Sequence, residues 1–327
     1  MRPNAFYIKC ALALGMLWAS IGTAGAGTDR IFVSNEKGGA LTVLSAKDYA
    51  LIGEVKTGRQ PRGMVFSPDH KRLYVACGGA DRIDVVDVAA MKVVDKIGKI
   101  SDPETFDLDD SGTHLYVSNE ETAELSVVDI PSKAIVKRVK VGLEPEGVLL
   151  NQAANKVYVA AEASNLVHVI DLAADRRVDI AVGTRPRRFA LTPDGKQLWV
   201  STELAGQVNV IDTATNAVVG KIDFLPPGMR KEDVSPVALV IDREGKTAFV
   251  TLGRANHVAV VDVAQRKVTG YILVGQRPWG ITFNRDQTRL FVANGGSDDV
   301  SVIDAAAQKV LKSVPVGHAP YGVAIDD

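Results

Sequence analysis

Seven prolines, Pro61, Pro103, Pro145, Pro186, Pro236, Pro278 and Pro320, recur at intervals of 42, 42, 41, 50, 42 and 42 residues. The residues that follow them are Arg62, Glu104, Glu146, Arg187, Val237, Trp279 and Tyr321. The residues that precede them are Gln60, Asp102, Glu144, Arg185, Ser235, Arg277 and Ala319. Arg188 stands where four other units carry glycine, and His318 lies in the last joint. A fold that gathers these positions at one mouth offers guanidinium, indole, phenol and imidazole groups to an anionic or aromatic ligand. Acid–base chemistry would need a base beside a polarising group, and His318, Glu146 and Arg187 form the best set for it.

The same residues also admit a purely structural reading. Glu144 and Glu146 adjoin Arg185, Arg187 and Arg188 of the next unit, and Arg62 adjoins Glu104 in the same way. Exposed ion pairs between units would contribute little individually. Trp279 and Tyr321 could simply cover apolar surface. A second acidic series, Glu36, Glu120, Glu162 and Glu203, falls on different units. It is expected to form a solvated rim, too widely spaced to share one metal ion. The joint Lys221–Pro236 carries about eight extra residues, including Arg230, Lys231 and Glu232, and is expected to meet a partner.

The elements that must position these residues are strands. Each unit holds four short runs rich in Val, Ile, Tyr and Phe, separated by Gly, Pro, Asp and Asn. In the unit after Pro61 they are Gly63–Ser67, Arg72–Ala76, Arg82–Val88 and Lys92–Ile97. Four strands in about 42 residues make one propeller blade. A second marker, Asp87, Asp129, Asp171, Asp212, Asp262 and Asp304, repeats with the same period. Each of these aspartates precedes a turn whose backbone N–H groups its carboxylate can accept. The first unit, Ile31–Val55, lacks an inner strand, and Ala319–Asp326 supplies one. The expected fold is therefore all-β: a seven-bladed propeller of four-stranded blades, closed by N- and C-terminal segments that share one blade.

The second strands read IFVS, LYVA, LYVS, VYVA, LWVS, AFVT and LFVA. With the VVD or VID third strands and the proline joints, they resemble YVTN-type propeller repeats over residues 28–327. The arrangement is most similar to the propeller family associated with PQQ-dependent alcohol catabolism. That resemblance implies a neighbourhood of quinoprotein dehydrogenases and transport components, without an activity for the propeller itself.

Residues 1–26 carry Arg2 and Lys9, an apolar run Cys10–Gly22 and the small-residue pattern Ala24-Gly25-Ala26. They read as a cleaved secretory signal, leaving 27–327 as one propeller, most consistent with the periplasm. Cys77 then remains alone, so no intrachain disulfide forms. Without Arg2 and Lys9 the chain has 36 basic and 39 acidic residues, a net charge of −3. That balance gives no pull towards nucleic acid, and no later segment is apolar enough to span a membrane. There is no C-x-x-C-H haem motif, no metal-spaced Cys/His set, no G-x-S-x-G elbow and no phosphate loop. No cofactor or metal is expected. The preferred function is a non-catalytic binding or scaffold protein accessory to periplasmic alcohol oxidation and associated transport. Its partner would be a quinoprotein dehydrogenase, a transporter component, or a small anionic or aromatic ligand. The alternative is a lactonase-like hydrolase or lyase with its site at the central mouth.

Overall fold

The computed structural model describes residues 27–327; the expected signal segment lies outside the described residues. They form seven antiparallel sheets of four strands each. Blades one to six span residues 61–98, 103–140, 145–181, 186–223, 236–273 and 278–315. Blade seven pairs the C-terminal strand Pro320–Asp326 with Arg30–Asn35, followed by Ala40–Ser45 and Leu51–Lys56. The ring thus closes by strand pairing between the two ends, and each inner strand is the axial edge of its own four-stranded sheet. Among the described residues no helix is long and apolar enough to cross a membrane.

Burial follows strand position. Second strands such as Leu73 to Cys77 and third strands such as Ile83 to Val86 are buried between blades. Fourth strands such as Ala134–Lys140 alternate exposed and half-buried residues on the rim. The core consists of apolar layers between neighbouring blades. One of them joins Phe32, Leu41 and Val43 of blade seven to Leu73, Val75 and Val86 of blade one.

The repeated polar residues hold the blades in register. Asp87, Asp129, Asp171, Asp212, Asp262 and Asp304 each accept a backbone N–H three residues on, at 2.7 to 2.9 Å. The hydroxyls of Ser34, Ser118, Ser201 and Thr251 each donate across the blade boundary, to the carbonyls of Arg62, Glu146, Val237 and Trp279. The YVS-type phrase therefore clasps the next blade's inner strand at the residue after its proline. Gly147 and Gly280 let neighbouring inner strands approach closely, because a Cβ there would collide with the carbonyl oxygens of Arg187 and Tyr321.

The seam has its own lock. Asp326 accepts from the Thr28 backbone N–H at 2.7 Å and from its hydroxyl at 2.6 Å. Its other oxygen lies 2.9 Å from Nδ1 of His70, whose ring stacks on Phe66. His70 is exposed on its turn and reaches the seam from there. His114 is likewise tied to Asp109, at 3.1 Å.

Candidate functional site

Two backbone rules build the near-face mouth. In six of the seven joints the residue before the proline has positive φ, from 37° at Asp102 to 62° at Arg185; Ser235, after the long joint, is the exception. The turn sends Gln60, Glu144 and Arg277 to the exposed rim, while Glu104, Glu146, Arg187, Val237 and Tyr321 after the prolines are buried. In every blade the carbonyl before the proline also accepts the N–H of the residue that follows the second strand. Those residues are Glu36, Gly78, Glu120, Glu162, Glu203, Gly253 and Gly295. Four glutamates and three glycines thus occupy one equivalent position beside the axis.

This corrects the expectation of a solvated acidic rim. Glu162 and Glu203 are 4% and 5% exposed and turn inward. Both meet Arg187, Glu162 in direct contact and Glu203 at 3.5 Å. Arg187 also holds Glu146 at 2.8 Å. Arg185 pairs with Glu162 and Glu203 at 2.7 and 3.2 Å, and Arg188 with Glu146 at 2.8 Å. The pairs of Arg187 with Glu146 and Glu162, and of Arg188 with Glu146, cross the blade boundary and are buried, so breaking one is costly, whereas the Arg185 side chain is exposed. On the other side Arg62 bridges Glu36 and Asp102 at 3.0 Å each and contacts Glu104. Asp102, Glu104 and Glu120 bring carboxylate oxygens within 4.8 Å of one another, and the Arg62 guanidinium is the cation among them.

Tyr321 and Trp279 close the centre. The Tyr321 hydroxyl lies 3.0 Å from Glu104 and 3.3 Å from Glu146, and it contacts Arg188. The Arg188 guanidinium sits over the Tyr321 ring, and those of Arg187 and Arg277 over Trp279 at 4.7 and 5.7 Å. Trp279 and Tyr321 lie 6.1 Å apart between centroids, forming a septum. Above it a near-face recess of ≈ 250 Å³ is lined by Glu36, Lys37, Arg277, Trp279, Gly295 and Tyr321, among others. Three buried donor atoms around the septum have no acceptor: Trp279 Nε1, Arg187 Nε and Arg188 Nη1.

Burial and the neighbouring Glu146 charge push Glu104 well above the ordinary carboxyl range, with Arg62 offsetting only part of it. Burial also works against ionisation of Glu146, but Arg187 and Arg188 outweigh it and hold that carboxyl at about 2. Glu162, buried and hydrogen-bonded to Glu146, is pushed up to about 10. The carboxyls of the mouth are thus shifted in opposite directions, Glu104 and Glu162 upward and Glu146 downward.

Of the residues singled out in the sequence, Arg62, Glu104, Glu146, Arg185, Arg187, Arg188, Trp279 and Tyr321 come together here. Arg277 joins from the rim. His318 is exposed, paired with Asp298 at 3.1 Å and outside the recess lining, so it does not meet Glu146 and Arg187 as an acid–base set. Arg230 pairs with Asp233 at 2.7 Å and Lys231 faces Asp223 at 3.8 Å; with Glu232 they are exposed on the inserted loop, away from the axis. Phe224 and Val234 anchor that loop in the blade-four and blade-five core. Glu36, Glu120, Glu162 and Glu203 were visible as a series; their inward turn follows from the repeated joint hydrogen bond.

A family model described as a lactonase, seven-bladed beta-propeller, matches residues 171–315. One described as a choice-of-anchor I domain matches residues 32–181. No curated protein matches the sequence. Among solved structures the chain is similar to hydrazine synthase of Kuenenia stuttgartiensis, at 23% identity and TM-score 0.72, over 80% of this chain and 88% of that one. It is similar to a functionally unknown protein of Desulfotomaculum acetoxidans, at 15% identity and TM-score 0.77, over 91% and 99%. It is also similar to the periplasmic gluconolactonase PpgL of Pseudomonas aeruginosa, at 19% identity and TM-score 0.76, over 91% and 99%. At these identities the likeness carries the fold alone: a seven-bladed propeller.

Proposed function

We propose that this chain is an exported, non-catalytic propeller whose near-face mouth binds a small, oxygen-rich organic anion. The observation that carries this reading is the unpartnered indole N–H of Trp279, in a septum that the recess exposes between Lys37 and Arg277. A buried donor without an acceptor costs about 1–3 kcal/mol. An anion lying against Trp279 satisfies that donor and meets two cations that have no carboxylate within 4.0 Å (among the ion pairs of the described residues). The YVTN-type resemblance points to periplasmic quinoprotein dehydrogenases or transport components as the proteins such a complex would serve. Exposed Arg277, His318 and Arg230 are the side chains they would meet on this face.

A hydrolytic reading of the same mouth is supported by the neutral Glu104 carboxyl 3.0 Å from the Tyr321 hydroxyl and by the match to the lactonase propeller model. One experiment separates the two. Gluconate and D-glucono-1,5-lactone are titrated calorimetrically into the mature chain, and acid release from the lactone is followed in parallel. Binding without accelerated acid release, weakened about tenfold or more (roughly 1.4 kcal/mol) by Trp279→Phe and by Arg277→Glu, is the expected result. Acid release abolished by Glu104→Gln would replace the binding reading with the hydrolytic one. Affinities unchanged in both variants would overturn the assignment of the site.

A further inference from the structure

Below the septum the axis is hollow. A cavity of ≈ 200 Å³ is walled by Met64, Phe189, Leu239, Ile281 and Val323, with Arg188 and Trp279 at its inner end. Phe189 and Leu239 also belong to the wall of a wider funnel of ≈ 580 Å³ on the opposite face. That funnel adds Leu191, Ile241, Phe283 and Ile325, and its polar side carries His70, Asn284, Arg285, Gln287 and Asp327. The two spaces adjoin across Phe189 and Leu239, and Trp279 and Tyr321 line the inner one. Together their volumes fall in the range of small-molecule sites.

The channel ends on a cation. Arg188 sits on the axis with its side chain 16% exposed, and its Nη1 has no acceptor. Its Nη2 is held by Glu146 and the Tyr321 hydroxyl. Among the described residues Glu146 is the one carboxylate that pairs with Arg188, and it does so through Nη2, which leaves Nη1 for an incoming anion. The apolar wall and this one free donor select a ligand with an unbranched or aromatic apolar body and one carboxylate head. A neutral hydrocarbon would leave the Arg188 donor unpaired, and a dianion would be repelled by Glu146.

We propose that this far-face channel is a second ligand site, distinct from the near-face recess, for a small amphipathic monocarboxylate that enters head first and pairs with Arg188. The site does not depend on the near-face reading, and the test keeps the two apart. Trp279 lines the channel, and Trp199, fully buried elsewhere, is the other tryptophan of the described residues. In a Trp199→Phe background Trp279 reports alone. The probes are 2-bromodecanoate and 10-bromodecanoate, whose bromine lies at the head and at the tail. Saturable quenching by the head-labelled probe, clearly stronger than by the tail-labelled one, is expected. Gly322→Leu should abolish it: a Cβ there meets nothing nearer than 3.4 Å, and the longer side chain pushes on the Met64 methyl of the channel wall. Arg188→Gln should weaken binding about tenfold or more; if that variant does not fold, Gly322→Leu carries the test. Arg277→Glu should leave the quenching intact. Absence of saturable quenching, or quenching that survives Gly322→Leu, would overturn the proposal. Loss in Arg277→Glu instead would move the probe to the near-face recess and equally refute the channel site.

Discussion

Arg187→Met is the sharpest perturbation of the mouth. Arg187 is 4% exposed and holds Glu146, Glu162 and Glu203 while covering the face of Trp279. Removing one partner of a buried ionic cluster costs about 3–5 kcal/mol, because the remaining charges stay desolvated. An independent route gives a similar size. Arg187 and Arg188 together hold Glu146 from an ordinary 4.5 down to about 2 against the cost of burial. At about 1.4 kcal/mol per pH unit that separation corresponds to roughly 3 kcal/mol. The effect must depend on pH with a defined sign. In the parent chain the folded pKa of Glu146 lies below the unfolded one, so its stabilisation is complete above about 4.5 and is lost as the pH falls towards about 2. In Arg187→Met only Arg188 and the more distant Arg62 oppose burial, so the folded pKa rises and the variant gains less from ionising Glu146 as the pH climbs past the ordinary carboxyl value. The gap between the two proteins should therefore widen from pH 4 to pH 8. Guanidinium unfolding followed by tryptophan fluorescence at pH 4, 6 and 8 measures it. Arg187→Lys should not rescue, since a compact ammonium cannot fork between the carboxyl groups of Glu146, Glu162 and Glu203. A gap below about 1 kcal/mol at pH 8, or one that is the same at pH 4 and pH 8, would refute the reasoning.

Four further outcomes follow from the fold. Asp326→Asn should destabilise the chain by about 2 kcal/mol, the size of lost charge-assisted hydrogen bonds. Burial opposes the Asp326 charge, but the Thr28 hydrogen bonds and His70 hold its pKa low. Its contribution is thus present above the ordinary carboxyl range and fades as the pH drops through it, so the parent and Asp326→Asn should converge in acid denaturation curves. Burial pushes the Cys77 thiol up to about 12, so it should resist a disulfide reagent in native protein and react once guanidinium unfolds the chain. Gly147→Ala should cost about 3 kcal/mol or more because the added Cβ meets the Arg187 carbonyl. Gly322→Ala, with ordinary contacts only, should stay within roughly 1 kcal/mol of the parent in thermal melts.

The architecture was legible because its markers are covalently periodic. A proline every 42 residues and an aspartate in step with it leave one arrangement of four strands per unit, and the unpaired Ile31 and Ala319 segments require closure. The ring of residues after the prolines was legible for the same reason. What the sequence did not convey is which way a joint side chain turns. Glu162 and Glu144 look alike in the chain, yet Glu144, at positive φ, faces solvent while Glu162, fixed by its N–H to the Glu144 carbonyl, faces Arg187. That choice is made by a hydrogen bond between distant joints, and it converts a surface charge pattern into a buried network. The axial channel was equally hidden. Phe189, Leu239 and Ile281 read as ordinary strand residues, and only the spacing of seven inner strands around an axis leaves a hollow between them.

The most direct measurement is a crystal structure of residues 27–327 grown with saturating gluconate. Density for the anion in the near-face recess, between Lys37 and Arg277 and within hydrogen-bonding distance of Trp279 Nε1, is the predicted result. A recess that holds only solvent at saturation, or gluconate bound at another surface, would contradict the assignment of the near-face mouth as the binding site.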